Sequence, residues 1–400
     1  MLRIRSFLAT LVVITLALNT IPSLPAMAQD DPADLISSLR YIVIDAETGE
    51  VFAEKDADDE VAIASLTKIY TTIEALELAP LNTEITTDES DLFDSSSTTM
   101  GFGPGETFTV EQLLYGMMLP SGNDAAHAIA RSLGAQEGDS PEEAVDRFVA
   151  LVNERLRNMG LAETNLVNPH GLGVPGHHSS AHDLATFAMY AVKYPTFLDL
   201  ISTKTYDANG YELSNTNKML NQFDGLIGGK TGYDDDAGYC LVQVARRDGS
   251  TMISVTLDGV APDVWYEDNA ILLDYAFEQK ANRIANGEPI TGEVLSYRDP
   301  DAAVVAQIAT SEASLGSANT PVPEEKPTPD ITPKPTAESS VSGGNAGESG
   351  GSGLIWVILV VFLVVAASVG AAYRRQPIRM SNEKPDNPDT VDAPEESNSG

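Results

Sequence analysis

Cysteine is almost missing from this chain: Cys240 stands alone in 400 residues, so no intrachain disulfide can form and the fold must be held by its core. Cations are scarce as well, with 24 lysines and arginines against 59 aspartates and glutamates, a formal charge of -35. Such a surface repels phosphates, and no basic cluster appears before the far C-terminal region, which excludes nucleic acid as a partner. No internal repeat is visible. No metal and no cofactor is expected. The 42% of hydrophobic residues are enough for one sizeable domain with attachments.

The attachments are legible at both ends. Arg3 and Arg5, an apolar run from Phe7 to Leu18, and Ala26-Met27-Ala28 follow one another in the order of a secretory signal, expected to occupy residues 1–28 with cleavage after Ala28. Leu354 to Tyr373 carry no charge, and twenty residues at ~1.5 Å rise reach about 30 Å, a hydrocarbon core. Arg374, Arg375 and Arg379 follow, which places a disordered acidic tail, residues 374–400, in the cytoplasm. The chain is thus expected in the cell membrane as a single-pass protein whose main domain is extracytoplasmic. Residues 311–353, first Pro-rich and then Gly/Ser-rich, form a spacer with a root-mean-square reach of roughly 35 Å.

The main domain is expected over residues 34–280. "LRYIVIDAETGEVFAEKD" alternates as two strands around Glu47 to Gly49, and "GYCLVQVARRDGSTMISVTLDG" repeats the pattern around Arg247-Asp248-Gly249. Helical periodicity lies between and after them, in Leu66, Ile69, Tyr70, Ile73 and Leu76, in "VEQLLYGMMLP", in "PEEAVDRFVALVNERLRNMG" and in "WYEDNAILLDYAFEQ". The expected class is α+β, an antiparallel sheet assembled from both ends of the domain and flanked by helices. Residues 281–310 read as a short strand-like extension. Cys240, Met117 and Met118 read as core.

Within "IASLTKIYTT", Ser65 sits at an expected helix start and Lys68 one turn on, so both project from one face. A lysine is a poor base at neutral pH unless desolvation, a second cation or the helix N-terminus depresses its pKa. A neutral amine would then activate the serine. The bland alternative is a capping serine beside a solvated lysine. Two further elements shift the balance: Ser121-Gly122-Asn123 in a turn between helices, and Lys230-Thr231-Gly232 at the start of a strand.

In that order the three elements resemble the signature of penicillin-binding proteins and class A β-lactamases. With "GETFTVEQLLYGMMLPSGNDAA", "NPHGL", "SAHDLATFA" and "NTNKML", the chain resembles the low-molecular-weight D-alanyl-D-alanine carboxypeptidases from about Ser37 to about Lys280. The resemblance implies the serine β-lactamase/DD-peptidase fold and a serine-type hydrolase removing the terminal D-alanine from peptidoglycan stem pentapeptides, with β-lactam antibiotics as covalent inhibitors. It makes Ser65 the nucleophile, Lys68 its base and Ser121 the proton relay. Asn123 holds Lys68 and the substrate amide, Lys230 and Thr231 bind the terminal carboxylate beside Gly232, and the backbone N–H groups of Ser65 and Tyr233 form the oxyanion hole. The chain departs from better-known members in lacking room for a β-rich second domain and in having a spanning helix as its anchor.

Two rivals share the fold, a membrane-anchored β-lactamase and a β-lactam-binding sensor. The first needs a glutamate to activate the deacylating water, and Glu163 in "ETNLVN" is one residue out of pattern; the second needs a larger signalling region than the short tail. His170, His178 and Asp183 read as loop-fixing and helix-capping residues. Asp234, Asp235 and Asp236 read either as a solvated turn or as a group opposing the anionic end of the substrate.

Overall fold

The computed structural model describes residues 32–300 apart from Pro262. The expected signal segment, residues 301–310 of the expected extension, the spacer, the span at 354–373 and the tail lie outside the described residues. Among the described residues no helix is long and apolar enough to cross a membrane.

Strands β1 (Arg40–Asp45) and β2 (Val51–Lys55) form the first expected hairpin, its turn fixed by the Asp45 carboxylate accepting from the N–H groups of Glu47 and Thr48. A 3-10 turn at Ala64–Leu66 leads into α1 (Thr67–Leu78), which is buried on nearly every side. The helix therefore begins two residues after Ser65, which sits in the tighter turn before it. Strands β3 (Glu84–Thr86) and β4 (Thr107–Thr109) make a small ribbon. Next come α2 (Val110–Met118), α3 (Asn123–Leu133) and α4 (Pro141–Met159). Reciprocal side-chain caps start α2 at Thr109 and Gln112 and α4 at Ser140 and Glu143, and Gly160 in the left-handed region ends α4. Helices α5 (Ala181–Ala191) and α6 (Pro195–Ser202) precede a second ribbon of β5 (Thr205–Ala208) and β6 (Tyr211–Ser214). The chain then builds β7 (Leu226–Asp234), β8 (Gly238–Arg247), β9 (Ser250–Gly259) and α7 (Val264–Asn286).

The main sheet runs β2-β1-β9-β8-β7, antiparallel throughout, so the two ends of the domain meet where Arg40 to Asp45 pair with Leu257 to Met252. Ile42, Ile44, Val242 and Val255 face the helical layer, whereas Tyr41, Val43, Leu241 and Met252 face Trp265, Leu272 and Leu273 of α7. Burial on both faces explains why β8 and β9 read as nearly continuous apolar runs. Cys240, Met117 and Met118 are core residues. Helix α7 runs six residues past the expected boundary at Lys280, and residues 287–300 return to the β1–β2 turn with only an isolated bridge, Glu50 to Val294, in place of an expected strand. Leu295 N–H donates to Gly49 O at 2.8 Å there.

Closure of the outer layer rests on Asp268 of α7, which is buried and accepts from the backbone N–H and hydroxyl of both Ser37 and Ser38 at 2.6 to 3.1 Å. Hydrogen bonds to a charged group contribute about 1.5–3 kcal/mol each, so Ser37→Ala, which removes one, is expected to lower the unfolding free energy by about 1.5 kcal/mol, and Asp268→Ala, which removes all four, by at least about 3 kcal/mol. Urea unfolding measures both, and an Asp268→Ala midpoint equal to wild type would remove this clamp from the account.

Candidate active site

Ser65 lies at the junction of the helical layer and β7. Its neighbour Ala64 has φ +45, a left-handed value that costs a β-carbon residue energy. The turn is held by Thr67, whose hydroxyl donates to Ala64 O at 2.8 Å and lies 2.8 Å from His177 Nε2. The threonine proton being used, His177 Nε2–H is the donor; its Nδ1 accepts from Val167 N–H at 3.1 Å. His177 is neutral in that role, and burial pushes its pKa down to about 4. Opposite, Gly171 has φ +93, and a β-carbon there would stand 1.9 Å from Ala64 O. On the sheet side, a β-carbon at Gly232 would stand 3.2 Å from Ser65 N, so the bare glycine lets β7 run against the Ser65 amide.

Lys68 is completely buried on α1. Its Nζ lies 2.8 Å from Ser65 Oγ, 2.7 Å from Asn123 Oδ1 and 2.7 Å from His170 O. Two of those partners are carbonyl oxygens, which only accept. A neutral amine has two protons and one lone pair; the carbonyls take the protons and the lone pair faces the serine hydroxyl. Burial, and then the nearby Lys230, hold the Lys68 pKa well below its ordinary value. The His170 carbonyl is aimed by Asn168, whose Oδ1 accepts from His170 N–H and Gly171 N–H and whose amide donates to Leu172 O.

Ser121 precedes α3 with φ +66, its carbonyl held by the Thr98 hydroxyl at 2.8 Å. Lys230, buried on β7, donates to Ser121 Oγ at 2.9 Å and to Thr231 O at 2.8 Å. Burial alone brings its pKa down to about 7. Thr231 Oγ1 lies 2.7 Å from Thr216 Oγ1.

The cleft has two lobes meeting at Ser65, Thr98 and Tyr233. One, a cavity of about 470 Å³, is lined by Ser121, Thr216, Thr231, Tyr239 and Trp265 among others. The other, about 350 Å³, runs past Asn123, Gly171 and Leu172 to Asp234 and Asp235. The aspartates form the β7–β8 turn, with Asp234 Oδ1 accepting from Asp236 N–H at 3.0 Å and Ala237 N–H at 2.7 Å. Asp234 and Asp235 line the lobe away from Thr231.

All eight sequence candidates, Ser65, Lys68, Ser121, Asn123, Lys230, Thr231, Gly232 and Tyr233, meet around this cleft. The His170 ring packs edge-on against Phe93 at 5.1 Å while its carbonyl serves Lys68, and His178 stands 3.6 Å from Glu60. Helix α5 is capped by Ser180, not by Asp183, which instead accepts from Thr164. Glu163 lines neither lobe. Sequence reasoning missed the His170 carbonyl, His177, Thr98 and Thr216; a backbone oxygen has no residue type to read, although "NPHGL" marks the loop that carries it.

The family model for D-alanyl-D-alanine carboxypeptidase, peptidase S11, matches residues 26–261. D-alanyl-D-alanine carboxypeptidase DacF of Bacillus subtilis is 32% identical over 249 residues, which cover 60% of this chain and 61% of that one. The D-alanyl-D-alanine carboxypeptidase of Streptomyces sp. (strain K15) is 31% identical over 293 residues, 69% of this chain and 99% of the other. The crystal structure of the Streptomyces K15 DD-transpeptidase superimposes with a TM-score of 0.58 at 30% identity, covering 61% of this chain and 98% of its own. A D-alanyl-D-alanine carboxypeptidase structure from Mycobacterium tuberculosis does so at 0.58 and 28%, covering 68% and 98%. The family match extends over more than half of the sequence and the antiparallel sheet with its helices is shared with those structures, so the chain belongs to the S11 family of D-alanyl-D-alanine carboxypeptidases.

Proposed function

We propose that the protein is a serine-type carboxypeptidase that releases the terminal D-alanine from peptidoglycan stem peptides through an acyl-enzyme on Ser65, and that β-lactams acylate the same serine. The observation that carries this reading is the Lys68 amine, whose lone pair is left for Ser65 by two carbonyls. Lys68 Nζ takes the Ser65 proton as Oγ attacks the carbonyl carbon of the penultimate residue. The oxyanion that forms is met by the N–H groups of Ser65 and Tyr233. As the C–N bond breaks, Ser121 passes a proton to the leaving amine, and water later hydrolyses the ester. Lys230 and Thr231 hold the free carboxylate, which makes a C-terminal residue the required leaving group. Asn123 orients both Lys68 and the substrate amide. The same reading keeps the domain on the extracytoplasmic side of the cell membrane.

Penicillin is expected to add one covalent adduct to wild type and none to Ser65→Ala, read by intact mass. A β-lactamase would turn the drug over without accumulating the adduct, and an unmodified wild type at saturating drug would remove Ser65 as the nucleophile. Lys68→Met and Ser121→Ala are each expected to slow D-alanine release at least about a hundredfold, the scale of general acid–base assistance.

The pH dependence has a definite sign. Below the depressed Lys68 pKa the amine is protonated and cannot accept from Ser65; above about 7, Lys230 in the free enzyme loses its charge and its hold on a carboxylate. The second-order acylation rate should therefore be bell-shaped, with its alkaline limb near 7. Lys230→Arg stays charged and should abolish that limb. A limb that does not move in Lys230→Arg belongs to another group.

With the terminal carboxylate in the Thr231 lobe, the acyl donor extends toward Asp234 and Asp235. At ~10 Å and an effective dielectric of ~40, one carboxylate favours a cationic donor by about 0.8 kcal/mol, roughly fourfold in the Michaelis constant at low salt. A D-Ala-D-Ala peptide with a free side-chain amine should show that preference over its acetylated form, and Asp234→Asn with Asp235→Asn should erase it. Equal constants for the two peptides with wild type would leave the aspartates as a turn only.

A further inference from the structure

Away from the cleft, the loop after α4 and the first turn of α5 bring Glu163, His182 and Asp183 together, with one ligand atom of each within 4.8 Å of the others. Asp183 is 1% exposed, and its Oδ1 stands 3.8 Å from His182 Nδ1, a nitrogen buried without a hydrogen-bond partner. Among the described residues no lysine or arginine forms an ion pair with Glu163 or Asp183, and the other charges acting on His182 are the carboxylates of Asp58 and Glu293. The cluster holds a surplus of negative charge around an imidazole nitrogen that has nothing to bind.

The Asp183 carboxylate is also fixed in orientation. Thr164 Oγ1–H donates to Asp183 Oδ2 at 2.7 Å, so Thr164 accepts from Ser179 Oγ–H at 2.8 Å, and Ser179 in turn accepts from the Tyr70 hydroxyl at 2.9 Å. Every proton of that chain points toward the carboxylate. Oδ2 is thereby occupied and Oδ1 is left toward His182, the arrangement in which outer hydrogen bonds orient a ligating carboxylate.

We infer that Glu163, His182 and Asp183 form a binding site for one divalent transition-metal ion of the zinc class, behind the helix that carries Lys68. Two carboxylates and an imidazole suit such an ion, whereas calcium and magnesium take oxygen alone. Bond lengths near ~2.1 Å put tetrahedral ligand atoms about 3.4 Å apart, and the half-exposed Glu163 side chain has the freedom to close the remaining distance. Three protein ligands leave a fourth position to water. This revises the expectation that no metal binds: adjacent His182 and Asp183 with a glutamate from another segment match no ligand spacing a sequence displays. Bound there, the ion ties α5 to the segment leading into Ser65, because Ser179 pairs in both directions with Val61, and His182 N–H donates to Ala57 O at 2.9 Å. The inference does not rest on the hydrolytic reading of the cleft.

The test is calorimetric titration of Zn²⁺ alone into the chelator-stripped full chain, with thermal unfolding alongside. Wild type is expected to bind one equivalent saturably and to unfold at a higher temperature with Zn²⁺ than without. Glu163→Gln and His182→Gln should each bind at least about tenfold more weakly and lose the thermal gain. Far-UV circular dichroism verifies that the variants are folded, and Glu163→Gln, at a half-exposed position, decides the matter if His182→Gln is not. No saturable binding by wild type, or an affinity and thermal gain unchanged in Glu163→Gln, overturns the site.

Discussion

A lysine amine sealed inside a protein must either find an anion or give up its proton, and Lys68 has no carboxylate bonded to it. Its three neighbours are two carbonyl oxygens and a hydroxyl. The carbonyls come from Asn123, at the start of α3, and from His170, in the loop after α4. Burial and the second lysine favour the neutral form, and the two carbonyls then dictate which way its lone pair points. The rest of the domain can be understood as what brings those groups to one point. Helix α1 is central and buried so that Lys68 is dry, and α3 and the Asn168 loop are packed on it so that the acceptors are fixed.

Backbone strain gathers around the same point. Ala64 and Ser121 both hold positive φ without being glycine, conformations that cost about 1–3 kcal/mol each and persist only when their surroundings over-determine them. At Ala64 the surroundings are the Thr67 hydroxyl, neutral His177 and the close backbone of Gly171; at Ser121 they are the Thr98 hydroxyl and the Lys230 amine. Each strained residue sets the direction of a hydroxyl at or beside it. The core supplies the free energy that offsets the strain, and the edge strand β7 supplies a flat backbone against which the Ser65 turn rests.

Charge in the molecule is arranged against its average. A chain of net charge -35 keeps two lysines buried at its cleft, one of them near neutrality at about 7. Asp234 and Asp235 line one lobe, whereas the lobe with Thr231 and Thr216 adjoins Lys230, and the acid that lines it, Asp263, is paired with Lys218 at 2.9 Å. A ligand with an anionic end and a cationic body has one favoured direction in such a cleft. The carboxylates of Glu163 and Asp183 lie elsewhere, and Asp183 is linked to α1 through Thr164, Ser179 and Tyr70, so the helix that carries the amine is braced by hydrogen bonds on its far side as well.

The sequence by itself determined the α+β class, both hairpins of the sheet, and the side chains of the cleft, because alternation, periodicity and the order of Ser65, Lys68, Ser121, Asn123, Lys230 and Thr231 are local properties of the chain. It placed the helix start two residues early, since a 3-10 turn and an α-helix share one apolar pattern over a single turn. It ended α7 six residues too soon, and over residues 287–300 the strand-like extension it expected shows one isolated bridge, Glu50 to Val294, at the β1–β2 turn. What the tertiary structure alone decided is the state of those side chains: that Lys68 is dry and served by a backbone carbonyl of His170, that a buried His177 holds the turn at Ala64 through Thr67, and that Asp234 and Asp235 line the lobe on the other side of Ser65 from Thr231. The His170 and His177 contacts each join segments about a hundred residues apart. A residue's type is carried along the chain, but its solvation and the direction of its lone pairs are set by whatever the fold packs against it.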